Sequence, residues 1–99
     1  MLRHVVSWKL AAEDQPTKLE HSSTIAAALQ GLVSEIPEIQ SLTVGSNVTS
    51  TPGNWDVILV ADYADEDALQ TYIDHPEHQR VAAMVRTLVA ERSTVDFLA

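Results

Sequence analysis

Leu2, His4, Val6, Trp8 and Leu10 take every second position at the start of the chain, with Arg3, Val5, Ser7 and Lys9 between them. A period of two places the first set on one face of a strand and the second set on the other. Asp14-Gln15-Pro16 signals a helix start, because a proline at the first helical position gives up no hydrogen bond. From Ser22 the period becomes helical. Ser22, Ile25, Leu29, Leu32, Val33 and Ile36 recur on one side until Pro37 stops the helix. Gly31, inside it, costs about 1 kcal/mol against alanine, tolerable in a helix of this length.

Ile39 to Val48 predicts a second strand, with Leu42, Val44 and Val48 against Ser41, Thr43 and Asn47. Thr49 to Asn54 is polar and contains Pro52-Gly53, the loop of a long hairpin. Trp55 to Tyr63 is the third and most apolar strand. Asp65-Glu66-Asp67 gives an acidic first turn to a helix through Ala68, Leu69 and Tyr72. That helix breaks at His75-Pro76, since a residue before proline avoids the helical region. A new helix starts on Pro76 and carries Val81, Met84, Val85, Leu88 and Val89 on one side. Arg92 to Leu98 is the last strand, with Val95 and Phe97 alternating. The order β-α-β-β-α-β predicts the ferredoxin-like α+β fold, a four-stranded antiparallel sheet with helices on one face. It spans residues 1–99 as a single domain.

One stretch departs from the alternation expected of a sheet covered on one side. Val57-Ile58-Leu59-Val60-Ala61 is apolar on both faces, and Val5 lies opposite Val6 and Trp8. No segment remains to cover the second face. A second copy of the sheet is the simplest cover, giving a homodimer that closes into a barrel. The alternative is a face that tolerates a few exposed valines.

Composition narrows the function. With 45% hydrophobic residues in 99, the chain is neither disordered nor short of a core. There is no cysteine, which excludes disulfides, thiolate metal sites and cysteine nucleophiles. Fourteen acidic residues against six basic give a net charge of −8. The six cations are scattered, so nucleic acid and anionic membranes are not expected partners. No apolar run reaches the roughly 20 residues of a membrane span, and the first residues enter a strand pattern instead of a leader's apolar core. A cytoplasmic protein is expected, and Asn47-Val48-Thr49 reads as a chance glycosylation match.

Candidate chemistry rests on few residues. His4 shares a strand face with Val6 and Trp8, the face that meets the helices. It is either a hydrogen-bonded core residue or the wall of a site. Pro76 makes His75 the N-cap and puts His78 on the first turn. There the helix dipole disfavours imidazolium, while Asp74 and Glu77 favour it. A neutral histidine facing a tyrosine in an apolar cavity is an acid–base pair; the plainer reading makes His75 and His78 caps only. His21, among polar neighbours, is expected in solvent. No ligand spacing points to a metal. Neither a nucleophile elbow nor a phosphate loop is present.

His4-Val5-Val6-Ser7-Trp8-Lys9, the central Gly45 and Tyr72-Ile73-Asp74-His75-Pro76-Glu77-His78 together resemble the stress-responsive A/B barrel (Dabb) family of the dimeric α+β barrel superfamily. The resemblance covers essentially the whole chain. It implies a homodimer, in some members assembled further. In one member type, the plant cyclase that makes olivetolic acid, it implies cofactor-free aldol-type ring closure in a pocket between sheet and helices. By position the resemblance makes His78 the general base, Tyr72 its orienting hydroxyl and His4 the polar wall. Val6, Trp8, Ile25, Leu29 and His75 would bind substrate. The cyclase lines its pocket with aromatic residues of the first helix, whereas Ile25-Ala26-Ala27-Ala28-Leu29 is aliphatic, which argues against the same substrate. Two functions follow: a cofactor-independent cyclase or lyase on a polyketide-like or other enolisable carbonyl compound, or a non-catalytic stress-associated barrel that binds a small apolar molecule or serves in assembly.

Overall fold

A computed structural model describes residues 1–99. Strands β1 (Leu2–Leu10), β2 (Ser41–Ser46), β3 (Val57–Tyr63) and β4 (Val89–Leu98) form one antiparallel sheet in the order β2-β3-β1-β4. Helices α1 (Gln15–Gln30), α2 (Glu66–Asp74) and α3 (Pro76–Arg86) complete the ferredoxin-like arrangement. The alternation of β1 places Leu2, His4, Val6, Trp8 and Leu10 in the interior, where they meet Val57, Leu59, Ala61 and Tyr63 of β3 and the buried sides of the helices.

Helix starts follow local chemistry. Asp14 caps α1 by accepting hydrogen bonds from the Thr17 backbone N–H and hydroxyl, and Pro16 occupies its first turn. Asp65 caps α2, its carboxylate 2.9 Å from the Ala68 nitrogen. His75 caps α3 through Nδ1, which accepts from the Glu77 N–H. Because α2 carries Tyr72, its cap supports the site described below. Asp65→Ala is expected to cost about 1 kcal/mol, seen as a fall of several degrees in thermal unfolding.

Several boundaries differ from the sequence pattern, among them the starts of the second and third strands, at Ser41 and Val57 and not at Ile39 and Trp55. The first helix ends at Gln30 and tightens into a 3₁₀ turn over Gly31–Ser34. Leu32 and Ile36 remain buried, so the apolar spacing runs on through the turn, while Val33 is exposed. The second strand stops at Ser46. Asn47 then closes the loop, its side chain donating to the Thr49 carbonyl and accepting from Asn54. Finally, α3 ends at Arg86, and Leu88 and Val89 leave the helix. Val89 opens β4 and pairs with Leu10 across a bulge that leaves Ala90 as the extra residue. His21 is half-buried instead of solvated, and its Nδ1 has no partner.

The outer face of the sheet carries Val60, Val5 and Val95 in one row. Ile58, Val95 and Phe97 are 42%, 61% and 44% exposed. Beside that row, Arg3 donates twice to the Asp62 carboxylate, which also accepts from Ser41.

Candidate active site

A cavity of about 560 Å³ opens between the inner face of the sheet and the α2–α3 layer. His4, Val6 and Trp8 reach it from β1, Tyr72 from α2, His78 from α3 and Leu29 from α1. Six of the eight residues singled out in the sequence therefore share one space. Ile25 does not, because it is wholly buried in the core. His75 does not line it either, its ring being engaged as the cap of α3. Two depressions of similar size, about 550 and 660 Å³, lie by the hairpin loop and contain no histidine or tyrosine.

The position of His78 follows from the break at His75-Pro76. Restarting the helix there turns the His78 ring back onto α2, with its centroid 4.4 Å from that of Tyr72. His78 Nδ1 lies 3.0 Å from the Ile73 carbonyl oxygen. A carbonyl can only accept, so Nδ1 carries the hydrogen, and the lone pair of the neutral ring resides on Nε2. The ring is thus oriented by a main-chain carbonyl, while its contact with Tyr72 is between tilted rings. Burial pushes the His78 pKa below its ordinary 6.5, and the nearby His4, Arg92 and Arg86 add to this against the Ile73 bond. Desolvation is the leading cause, ahead of the helix-end field that the sequence suggested.

His4 is buried, and its Nδ1–H donates to the Asp96 carboxylate at 2.5 Å across the β1–β4 ladder. Its ring lies edge-on to Tyr63 and Tyr72, 6.3 Å from each centroid. Tyr63 and Tyr72 are 5.0 Å apart. Burial raises the pKa of both phenols, so both stay protonated and Tyr72 can donate into the cavity. The Tyr63 hydroxyl is buried without a hydrogen-bond partner. Asp96 and Tyr63 escaped the sequence reading. Asp96 lies 92 positions from His4, and only the strand register brings them together. No cluster of three histidine, aspartate or glutamate side chains comes together to hold a metal.

A sequence profile of the stress responsive A/B barrel domain matches residues 2–99. The chain belongs to this family. The A/B barrel chain is 30% identical to a dimeric ferredoxin-like protein of Thermobifida fusca, covering 99% of this chain and 90% of that one with a TM-score of 0.84. A dimeric protein of Bacteroides fragilis is 26% identical, over 97% and 93% of the two chains, with a TM-score of 0.86. An uncharacterised Streptomyces coelicolor protein is 29% identical over 87% of this chain and 88% of its own. Two enzymes resemble this chain in fold at lower identity. A hydroxynitrile lyase of Passiflora edulis is 11% identical (97% and 90% covered, TM-score 0.79), and a cofactor-independent oxygenase of Streptomyces nogalater is 15% identical (99% and 91% covered, TM-score 0.73). No helix of the A/B barrel chain is long and apolar enough to cross a membrane.

Proposed function

We propose that this A/B barrel protein is a homodimeric, cofactor-independent acid–base enzyme, a cyclase or lyase acting on an enolisable carbonyl compound. The observation that carries this reading is a half-buried His78 on the cavity wall whose Nδ1–H is held by the Ile73 carbonyl. Its neutral form is favoured, and Nε2 is the basic atom. The occurrence of a lyase and a cofactor-independent oxygenase on the same fold supports it.

In the proposed step Nε2 takes a proton from the carbon beside the substrate carbonyl. The C–H pair becomes the enolate C=C, and the carbonyl electrons move to oxygen. The protonated Tyr72 hydroxyl donates to that oxygen, and His4 forms the polar wall beside it. The enolate carbon then attacks a second carbonyl carbon of the same molecule, and imidazolium returns the proton to the new alkoxide. Asp96 fixes the His4 ring so that only one nitrogen faces outward chemistry. Homodimers follow from the apolar outer face and agree with the dimeric relatives.

The test is deuterium exchange at the α-carbons of 2-octanone in D₂O, followed by NMR. The protein should accelerate exchange above the buffer rate. The rate should climb with pH through a midpoint below 6.5 and then level off, because neutral His78 is the active form and its pKa is lowered. Exchange at the buffer rate, with a His78 imidazole that titrates like free histidine, would leave the non-catalytic reading.

A further inference from the structure

The chain has six cationic side chains from lysine and arginine. Four are spent on carboxylates: Arg3 on Asp62, Lys9 on Glu91, Lys18 on Asp56 and Arg80 on Glu77. Arg86 and Arg92 are the two left without an ion pair, although the chain holds fourteen acidic residues. Both line the His78 cavity. They arrive from different elements, Arg86 at the last turn of α3 and Arg92 opposite Trp8 on β4. Arg86 also complements the negative end of its helix; Arg92, on a strand, has no such role. The one acidic residue on the cavity lining, Glu91, is already paired with Lys9.

Two unneutralised guanidinium groups beside a low-dielectric wall focus positive potential in an otherwise anionic molecule. Arginine's planar fork suits carboxylate and phosphate oxygens. Most of the remaining wall is apolar, with Val6, Leu29, Leu59 and Val85 among its residues. We infer that the cavity takes an amphipathic anion, its carboxylate or phosphate held by Arg86 and Arg92 and its apolar body lying against the sheet. This inference rests on reading the cavity as a ligand site and names the class of its occupant. A carbonyl substrate bound this way would have its charged end on Arg86 and Arg92 and its reacting carbon towards His78.

Calorimetric titration of octanoate, octyl phosphate and 1-octanol at pH 7 and low salt tests it, because the three share a tail and differ in the head. At least one anion should bind about tenfold or more tighter than 1-octanol, a difference typical of charge-assisted hydrogen bonds. Whichever anion binds tighter identifies the head group as carboxylate or phosphate. The Arg86→Gln/Arg92→Gln protein should lose that preference while keeping its affinity for 1-octanol, and Arg92→Lys should retain part of it. Thermal unfolding checks that each variant is folded. Equal binding of all three probes, binding of none, or a preference that survives the double substitution overturns the inference. The assay reads binding alone. Anion preference without ketone exchange would refute the proposed activity and leave this inference standing, and the opposite pattern would do the reverse.

Discussion

The His78→Asn protein is expected to exchange the α-protons of 2-octanone about 10²- to 10⁴-fold more slowly than the unmodified protein, the range contributed by a positioned general base. Asparagine is close in size and its amide can still donate to the Ile73 carbonyl, but it has no basic lone pair to receive a carbon-bound proton. His78 is half-buried and packs on Tyr72 without a side-chain hydrogen bond to it, so the fold should survive the change. Unchanged thermal unfolding with lost exchange assigns the effect to the base. Retained exchange in the folded variant would remove His78 from the mechanism. A loss of stability of several kcal/mol would make the residue a packing element first.

Much of this site could be read before any coordinates, for reasons that differ residue by residue. The strict alternation of Leu2 to Leu10 admits one inner face, so His4, Val6 and Trp8 had to share it. Pro76 cannot continue a helix that starts before it, which fixed both the cap at His75 and the first-turn place of His78. What stayed hidden depends on long-range register or main-chain geometry. Asp96 meets His4 because β4 pairs with β1 at one particular offset. The carbonyl that orients His78 belongs to Ile73, a group present on every residue and so invisible to pattern. Leu88 and Val89 kept the helical spacing of Val81 and Val85, yet Val89 is drawn into the sheet by pairing with Leu10. Gly31 ends the regular helix without ending the apolar stripe, since Leu32 from the tighter turn and Ile36 just beyond it still reach the core. Ile25, wholly buried as Ile36 is, faces that core and not the cavity.

Val95→Asp is expected to convert dimers into monomers at micromolar concentration, read by light scattering as a fall from twice the 10.8 kDa chain mass to that mass itself. Val95 lies in register with Val5, which lies in register with Val60 and, across β3, with Thr43. The row therefore crosses the whole sheet on the side away from the helices. Its end member is 61% exposed in the single chain, and Ile58 and Phe97 nearby add further apolar surface. Covering such a surface is favourable at roughly 25 cal/mol for each Å², whereas an aspartate there must be desolvated without a partner. Both copies carry a net charge of −8, so each new carboxylate adds to repulsion between them. Gly45→Leu is the independent probe of the same surface. A Cβ at Gly45 meets only the Ile58 methyl, at 3.6 Å, so the single chain has room for it. A larger side chain projecting from this face would instead collide with anything packed against it. Monomeric mass in both folded variants places the interface on the outer sheet face. A chain that is already monomeric without substitution, or a Val95→Asp protein that keeps twice the chain mass, would refute the barrel. The cavity of His78 opens on the opposite side of the sheet, away from the Val95 row, so a folded Val95→Asp monomer should still bind the amphipathic anion.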